Sequence, residues 1–338
     1  MKLNWLKTVY GDGRGWHVGS LVNWRGAYYL SFVNGTAHCS EDSRIVVGRS
    51  TDLEDWTFST AMEPPCIDPK MMVVGDRLCV YAVKAELDQE QAGKDVFRSW
   101  QMMSSSEDGV NWSKPARCYM KNRDFWQPVE FGGRYWVVAD TAGHVEPGGF
   151  CGSDLLVSDD GARWTWVSEL IDGGREYDDP ANAERFIAPS SSETALHFFE
   201  DGRLLGVTRA RGHTAVLSTA EPPYEVWAHR RSTESRCYGA SVGLVGDRLI
   251  ATGRSFDNEG QRVTTDKFAG EAGLRTGVFV YEDGDLNLKL LLPSGRDTGY
   301  GGICGRGDDE ALIAYYSSHE HGEGGGSNVY LASVGLGD

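Results

Sequence analysis

The sequence predicts an all-β fold, a six-bladed β-propeller whose ring is closed by the N-terminal strand. Three observations carry this. Short apolar runs recur along the 338 residues, and no stretch keeps a helical period over three turns. Glycine is abundant, with 43 residues, and aromatics make up 11%, a composition suited to strands joined by tight turns. Finally, one hairpin pattern, an apolar strand, a Gly or Asp turn and a second apolar strand, appears six times.

The elements follow in order. The first strand, NWLKTVY (4–10), has no hairpin of its own. The six hairpins are SLVNWRGAYYLSFV (20–33), KMMVVGDRLCVYAV (70–83), PVEFGGRYWVVAD (128–140), ALHFFEDGRLLGVTR (195–209), SVGLVGDRLIATGR (241–254) and GICGRGDDEALIAYY (302–316). Turn-to-turn spacings of roughly 45 to 70 residues suit four-stranded blades with variable loops. After the last hairpin comes NVYLASV (328–334), beside which the N-terminal strand is expected to pair, removing the exposed sheet edge. One domain spanning 1–338 is expected, and a poorly repeated seventh blade has room only in 84–125 or 141–192.

Three turns share a further signature. SSEDGVNW (105–112) and VSDDGARW (157–164) read as acidic-x-Gly-x-x-Trp, and STDLEDW (50–56) reads as a version one residue shorter. In such a turn the carboxylate accepts amide hydrogen bonds, the glycine takes positive φ and the tryptophan tucks beneath. These turns staple blades and carry no chemistry. They resemble the Asp-boxes of the sialidase superfamily, a family of six-bladed propellers, although Glu107 stands where the pattern has Asp and Val157 where it has Ser or Thr. The six hairpins extend the resemblance over nearly the whole chain, closest to uncharacterised bacterial sialidase-like proteins.

In a propeller the innermost strands line a central funnel, so residues at the start of each repeat converge there. Those positions hold Arg14 and His17, Asp68 and Lys70, Trp126 and Gln127, Glu193, and Tyr300; second-strand ends and the loops after them add His38, Arg209 and Arg254. The resemblance implies that Glu193 activates Tyr300 as a nucleophile and that Arg209 and Arg254 bind a substrate carboxylate. That chemistry is sound on its own terms: two guanidiniums hold a carboxylate well, and a phenol needs a neighbouring base before it attacks an anomeric carbon. His319, in the closing YYSSHE, is expected to shape a loop near the funnel and touch substrate.

One departure redirects the substrate. The first blade of a sialidase opens with a triad arginine, and here the matching stretch HVGSL (17–21) places His17 in that position, with Arg14 three residues earlier. His17 and His38 are therefore expected to move protons, since imidazole titrates near neutrality. The leading expectation is a glycoside hydrolase acting on a glycan end but not a true sialidase. The alternatives are a uronate-directed polysaccharide lyase, a five-bladed furanosidase-type propeller that would need a trio of funnel carboxylates, and a non-catalytic glycan-binding propeller.

Composition excludes other classes. Thirty-three basic against 49 acidic residues give a net charge of −16, which argues against nucleic acid as a partner. Seven cysteines without close pairs signal neither a disulfide framework nor zinc, and HEHGEGGG (319–326) lacks the helical spacing of a metalloprotease. No cofactor or metal is expected. No run approaches the ~20 apolar residues of a membrane span, and no leader-like segment opens the sequence, so a cytoplasmic location is expected.

Overall fold

The computed structural model describes residues 1–37, 40–86, 98–141, 152–179, 184–188, 191–210, 212–233, 235–256, 273–321 and 325–337. Six four-stranded antiparallel sheets form a six-bladed β-propeller, and no α-helix occurs among the described residues. Blade I is β2 (Gly15–Trp24), β3 (Ala27–Asn34), β4 (Arg44–Ser50) and β5 (Thr57–Met62). Blade II is β6 (Cys66–Val74), β7 (Arg77–Glu86), β8 (Arg98–Ser106) and β9 (Ala116–Lys121), and blade III is β10 (Arg123–Phe131), β11 (Arg134–Thr141), β12 (Gly152–Ser158) and β13 (Thr165–Asp172). A two-stranded hairpin, β14 (Glu176–Asp179) and β15 (Glu184–Ile187), separates it from blade IV: β16 (Ser192–Phe198), β17 (Leu204–Arg209), β18 (Val216–Ala220) and β19 (Ala228–Arg231). Blade V is β20 (Tyr238–Val245), β21 (Arg248–Phe256), β22 (Leu274–Glu282) and β23 (Asp285–Leu292).

Blade VI joins the chain ends. Its strands β24 (Thr298–Gly305), β25 (Glu310–Ser317) and β26 (Asn328–Gly335) are completed by β1 (Lys2–Tyr10), antiparallel to β26 with Leu6 opposite Ala332. Each of the six repeated hairpins supplies the first two strands of one blade. The room left for a seventh blade is taken by the outer half of blade II and, after blade III, by the small β14–β15 hairpin. A five-bladed arrangement is likewise ruled out.

Packing between blades is apolar and aromatic. Phe131 of blade III stacks on Phe198 of blade IV at 4.4 Å with planes 4° apart, and Trp136 and Tyr224 close around them. Tyr81, Phe125 and Trp164 perform the same task between blades II and III. Burying such rings supplies most of the driving force for closing the ring of blades.

The three Trp-ending turns join the third and fourth strands of blades I, II and III, and the structure corrects their register. All three have the same length: Ser50-x-Asp52, Ser106-x-Asp108 and Ser158-x-Asp160, each followed directly by the positive-φ residue. The aspartate therefore directly precedes the positive-φ residue, so Glu107 is only the residue between Ser106 and Asp108, and Val157 precedes its turn. Asp108 Oδ1 accepts from Val110 N and Asn111 N, both at 2.8 Å, while Ser106 Oγ accepts from Gly109 N at 2.8 Å. Asp160 and Ser158 repeat the pattern, as do Asp52 and Ser50, where Leu53 adopts φ 67° in place of glycine. The turn of blade III is also bolted to blade II, because Tyr81 Oη donates to Gly161 O at 2.7 Å. Ser158→Ala is expected to cost about 1 kcal/mol by deleting an amide's partner, seen as a lower Tm with kcat unchanged.

One irregularity positions the site. Every inner strand carries a bulge just after its first pairs with its neighbour. The first residues of these bulges are His17, Asp68, Gln127, Glu193, Gly239 and Tyr300, and all but Gln127 have positive φ: 38°, 51°, 58°, 64° and 33° in chain order. Bulges re-aim side chains, and left-handed backbone in non-glycine residues persists only where surrounding packing enforces it. One position in the repeat thus presents a different side chain from each blade.

Candidate functional site

Tyr300 lies at the centre. Its ring sits edge-on to His17 at 4.7 Å and to Trp126 at 5.3 Å, with the Arg254 guanidinium 5.4 Å from its centroid. Its hydroxyl donates to Glu193 Oε1 at 2.7 Å, and Arg209 Nη1 binds the same oxygen. The other oxygen, Glu193 Oε2, is sealed from solvent without a partner. Burial and then the Glu193 charge push the Tyr300 phenol well above its ordinary range, so it is a neutral donor at rest. Glu193 and Arg209 come from neighbouring strands in register, Ser192 facing Arg209 immediately before the bulge.

On the opposite wall His17 Nδ1 shares a hydrogen bond of 2.7 Å with Asp68 Oδ1, joining blades I and II. Lys70, 3% exposed, lies with its ammonium 3.7 Å over the Trp126 ring, and burial lowers its pKa. Arg254 is held three times: Nε donates to Thr298 O at 2.7 Å, and Nη2 donates to Asp297 Oδ1 at 3.0 Å and to Tyr316 Oη at 3.1 Å.

Other expected residues have internal partners. Gln127 spans the funnel to blade V, its Oε1 accepting from Val242 N at 2.8 Å and its Nε2 donating to Val242 O, while Trp126 Nε1 donates to Ala240 O at 2.7 Å. Together they brace the floor, with Gln127's amide bonded to the Val242 backbone. Arg14 is paired with Asp42, which also accepts from Thr36 and Ser40. His319 bonds Ser317 Oγ at 2.9 Å and packs on Tyr330. His38 lies outside the described residues.

Sequence reasoning missed four groups. Asp297 and Tyr316 flank Arg254, with Tyr316 Oη donating to Asp297 Oδ1 at 2.8 Å. Asp124 and Asp140 face each other across β10 and β11. Burial and then the Asp68 charge push Asp124 well above the carboxylate range, and its Oδ1 is sealed without a donor. Asp140 accepts from Ser153 Oγ and, through Oδ2, from Glu193 N at 2.6 Å, which pins the strained backbone of Glu193. With Asp68, Glu193 and the Asp297 carboxylate on Arg254, the site therefore holds five carboxyl groups where the sequence showed two.

Burial raises Asp140 to about 7. A carboxyl raised above its unfolded value stabilises most below that unfolded pKa, near 4, and the benefit is lost as pH climbs through the folded pKa. The Tm advantage of wild type over Asp140→Asn is therefore expected to shrink between pH ~4 and ~7, checked by calorimetric scans across that range. A constant difference would refute the assignment.

No protein-family profile matches the sequence, and no curated protein matches it. Solved structures resemble it in fold. A protein of unknown function from Dyadobacter fermentans superposes with TM-score 0.76 at 15% identity, covering 99% of each chain. Trypanosoma rangeli sialidase gives 0.63 at 13% identity over 98% of this chain and 58% of its own. Phage phi92 endosialidase gives 0.64 at 10% identity, over 98% and 69% respectively. The chain thus spans little more than half the trypanosomal sialidase. At these identities the likeness concerns architecture: this is a six-bladed β-propeller of sialidase-like fold.

Proposed function

We propose that the protein is a glycoside hydrolase working on a glycan end in the central funnel, with Tyr300 as nucleophile. The observation that carries this is the Tyr300 hydroxyl donating to Glu193 Oε1 at 2.7 Å inside a buried, charged cluster. Tyr300 Oη attacks the anomeric carbon as its proton passes to Glu193 Oε1, the oxygen that the Arg209 guanidinium also binds. As the glycosidic bond breaks, His17, held by Asp68, gives a proton to the leaving oxygen. Water then attacks the anomeric carbon and yields a proton to His17, while Tyr300 recovers its own from Glu193.

Tyrosine nucleophiles are an established exception to two-carboxylate glycoside hydrolysis. The placement of His17 where a sialidase has its first arginine supports a substrate other than sialic acid. The test is release of reducing ends from a panel of aryl glycosides and oligosaccharides, followed also by ultraviolet absorbance. Reducing ends without new absorbance support hydrolysis. Absorbance from an unsaturated uronate would replace it with elimination, and binding without turnover would leave a glycan-binding propeller.

A further inference from the structure

Four of the five basic side chains at the site are paired with an internal carboxylate. Arg209 is bound to Glu193, His17 to Asp68 and Arg14 to Asp42. Lys70 is nearly covered by Trp126 and feels the charges of Asp68 and Asp124 most strongly. Arg254, the remaining guanidinium, is occupied by Asp297, whose carboxylate also accepts from Tyr316. Arg209 does keep Nε without a partner, but that atom is sealed from solvent.

A substrate carboxylate needs a guanidinium whose donors converge on open space, and desolvating a charge without such a partner is costly. Here Thr298 O takes Nε of Arg254 while Asp297 and Tyr316 take Nη2, so the guanidinium edge that would grip a carboxylate through two donors is already engaged, and Nη1 alone makes no hydrogen bond among the described residues. Asp297 reaches Arg254 because it directly precedes β24: Ser318 N donates to its carbonyl at 2.9 Å and Thr298 O takes Arg254 Nε, which fixes the side chain against the arginine. A carboxylate entering the funnel would also meet the charges of Asp68 and Glu193. A neutral sugar meets none of these penalties, since hydroxyls can donate to carboxylates and accept from the amine and guanidinium groups alike.

We infer that the funnel takes a neutral glycosyl unit, and that Asp297 is the specificity-determining residue, an internal carboxylate that occupies Arg254 and turns acidic sugars away. The inference rests on the hydrolase reading for its catalytic consequence, although its binding consequence stands alone. Removing Asp297 leaves Arg254 with Tyr316 and a backbone carbonyl, free to accept an acid. Asp297's side chain is 35% exposed, so truncation is compatible with folding.

The experiment pairs sugars that differ only at one carbon: galactose with galacturonate and glucose with glucuronate, plus N-acetylneuraminate, titrated calorimetrically into wild type and Asp297→Ala. Matched aryl glycosides and aryl uronides are assayed for turnover in parallel. Wild type is expected to favour the neutral member of at least one pair by about tenfold or more, and Asp297→Ala to gain about 10- to 100-fold for the acidic member, the range of a charge-assisted hydrogen bond. Asp297→Asn, which keeps the shape and loses the charge, is expected to shift the ratio the same way and covers the case where the alanine variant unfolds. Tighter binding of the acids by wild type, or an acid-to-neutral ratio unchanged in both variants, would overturn the inference. Turnover decides the hydrolase reading separately: uronide hydrolysis preferred by wild type sinks only the neutral specificity, whereas neutral binding without hydrolysis sinks only the catalytic reading.

Discussion

Tyr300→Phe is expected to lower kcat on the best substrate by about 10²- to 10⁴-fold, with KM and Tm little changed. The ring is kept, and with it the contacts to His17 and Trp126. Glu193 also keeps its Arg209 partner, so no buried charge is abandoned. What disappears is the hydroxyl that donates to Glu193 and that, on the proposed reading, attacks the anomeric carbon. If the two act as a unit, Glu193→Gln should cost a similar factor and the double variant little more than either single one. Additive losses would show that they serve separate steps, and full turnover by Tyr300→Phe would refute the nucleophile assignment.

Why could Tyr300 and Glu193 be found in the sequence when Asp124 and Asp140 could not? The former sit at the same place in a repeat, directly ahead of recognisable hairpins, so the blade count itself aligns them. Arg209 and Arg254 were visible for a related reason, each facing the residue just before the bulge of its blade. Tyr316 holds that same position in blade VI, opposite Gly299, and the periodicity of GICGRGDDEALIAYY could have pointed to it. Asp124 and Asp140 instead lie two residues beyond that point in blade III, inside strands whose text, RDFWQ and WVVAD, reads as ordinary alternation. Their burial and mutual proximity arise only when blades close around the axis. The bulges were equally hidden, since a register shift is a property of strand pairing and leaves no local mark except where glycine appears. Gln127 shows what position in the repeat leaves open: blade V backbone lies within reach across the funnel and bonds its amide, a contact no local pattern reveals. In the Trp-ending turns, the local pattern was seen but shifted by one residue, because two adjacent acidic residues, Glu107 and Asp108, compete for the same role and only the amide geometry separates them.

Blade V presents no side chain at the shared bulge position, and the consequence is the second large expected effect. Gly239 has φ 64°, and a Cβ built there would stand 2.0 and 2.1 Å from Cδ1 and Cε1 of Tyr300. The ring cannot retreat easily with His17, Trp126 and Arg254 around it. Gly239→Ala is therefore expected to destabilise by about 2–5 kcal/mol, combining overpacking of ~1–3 with the left-handed penalty of ~1–2. Displacing the phenol by even ~1 Å should also lower kcat by about 10²-fold while leaving floor contacts intact. Both effects are checked by thermal melts and kinetics on the purified variant. The mechanism is isolated by repeating the substitution in a Tyr300→Ala background, which removes the ring atoms the added methyl would strike and keeps the backbone penalty. A smaller loss of stability there than in wild type would establish that the absent side chain of blade V is what seats the tyrosine. An equal loss in both backgrounds would mean that Gly239 serves its own backbone alone, and that Tyr300 owes its position to the opposite wall.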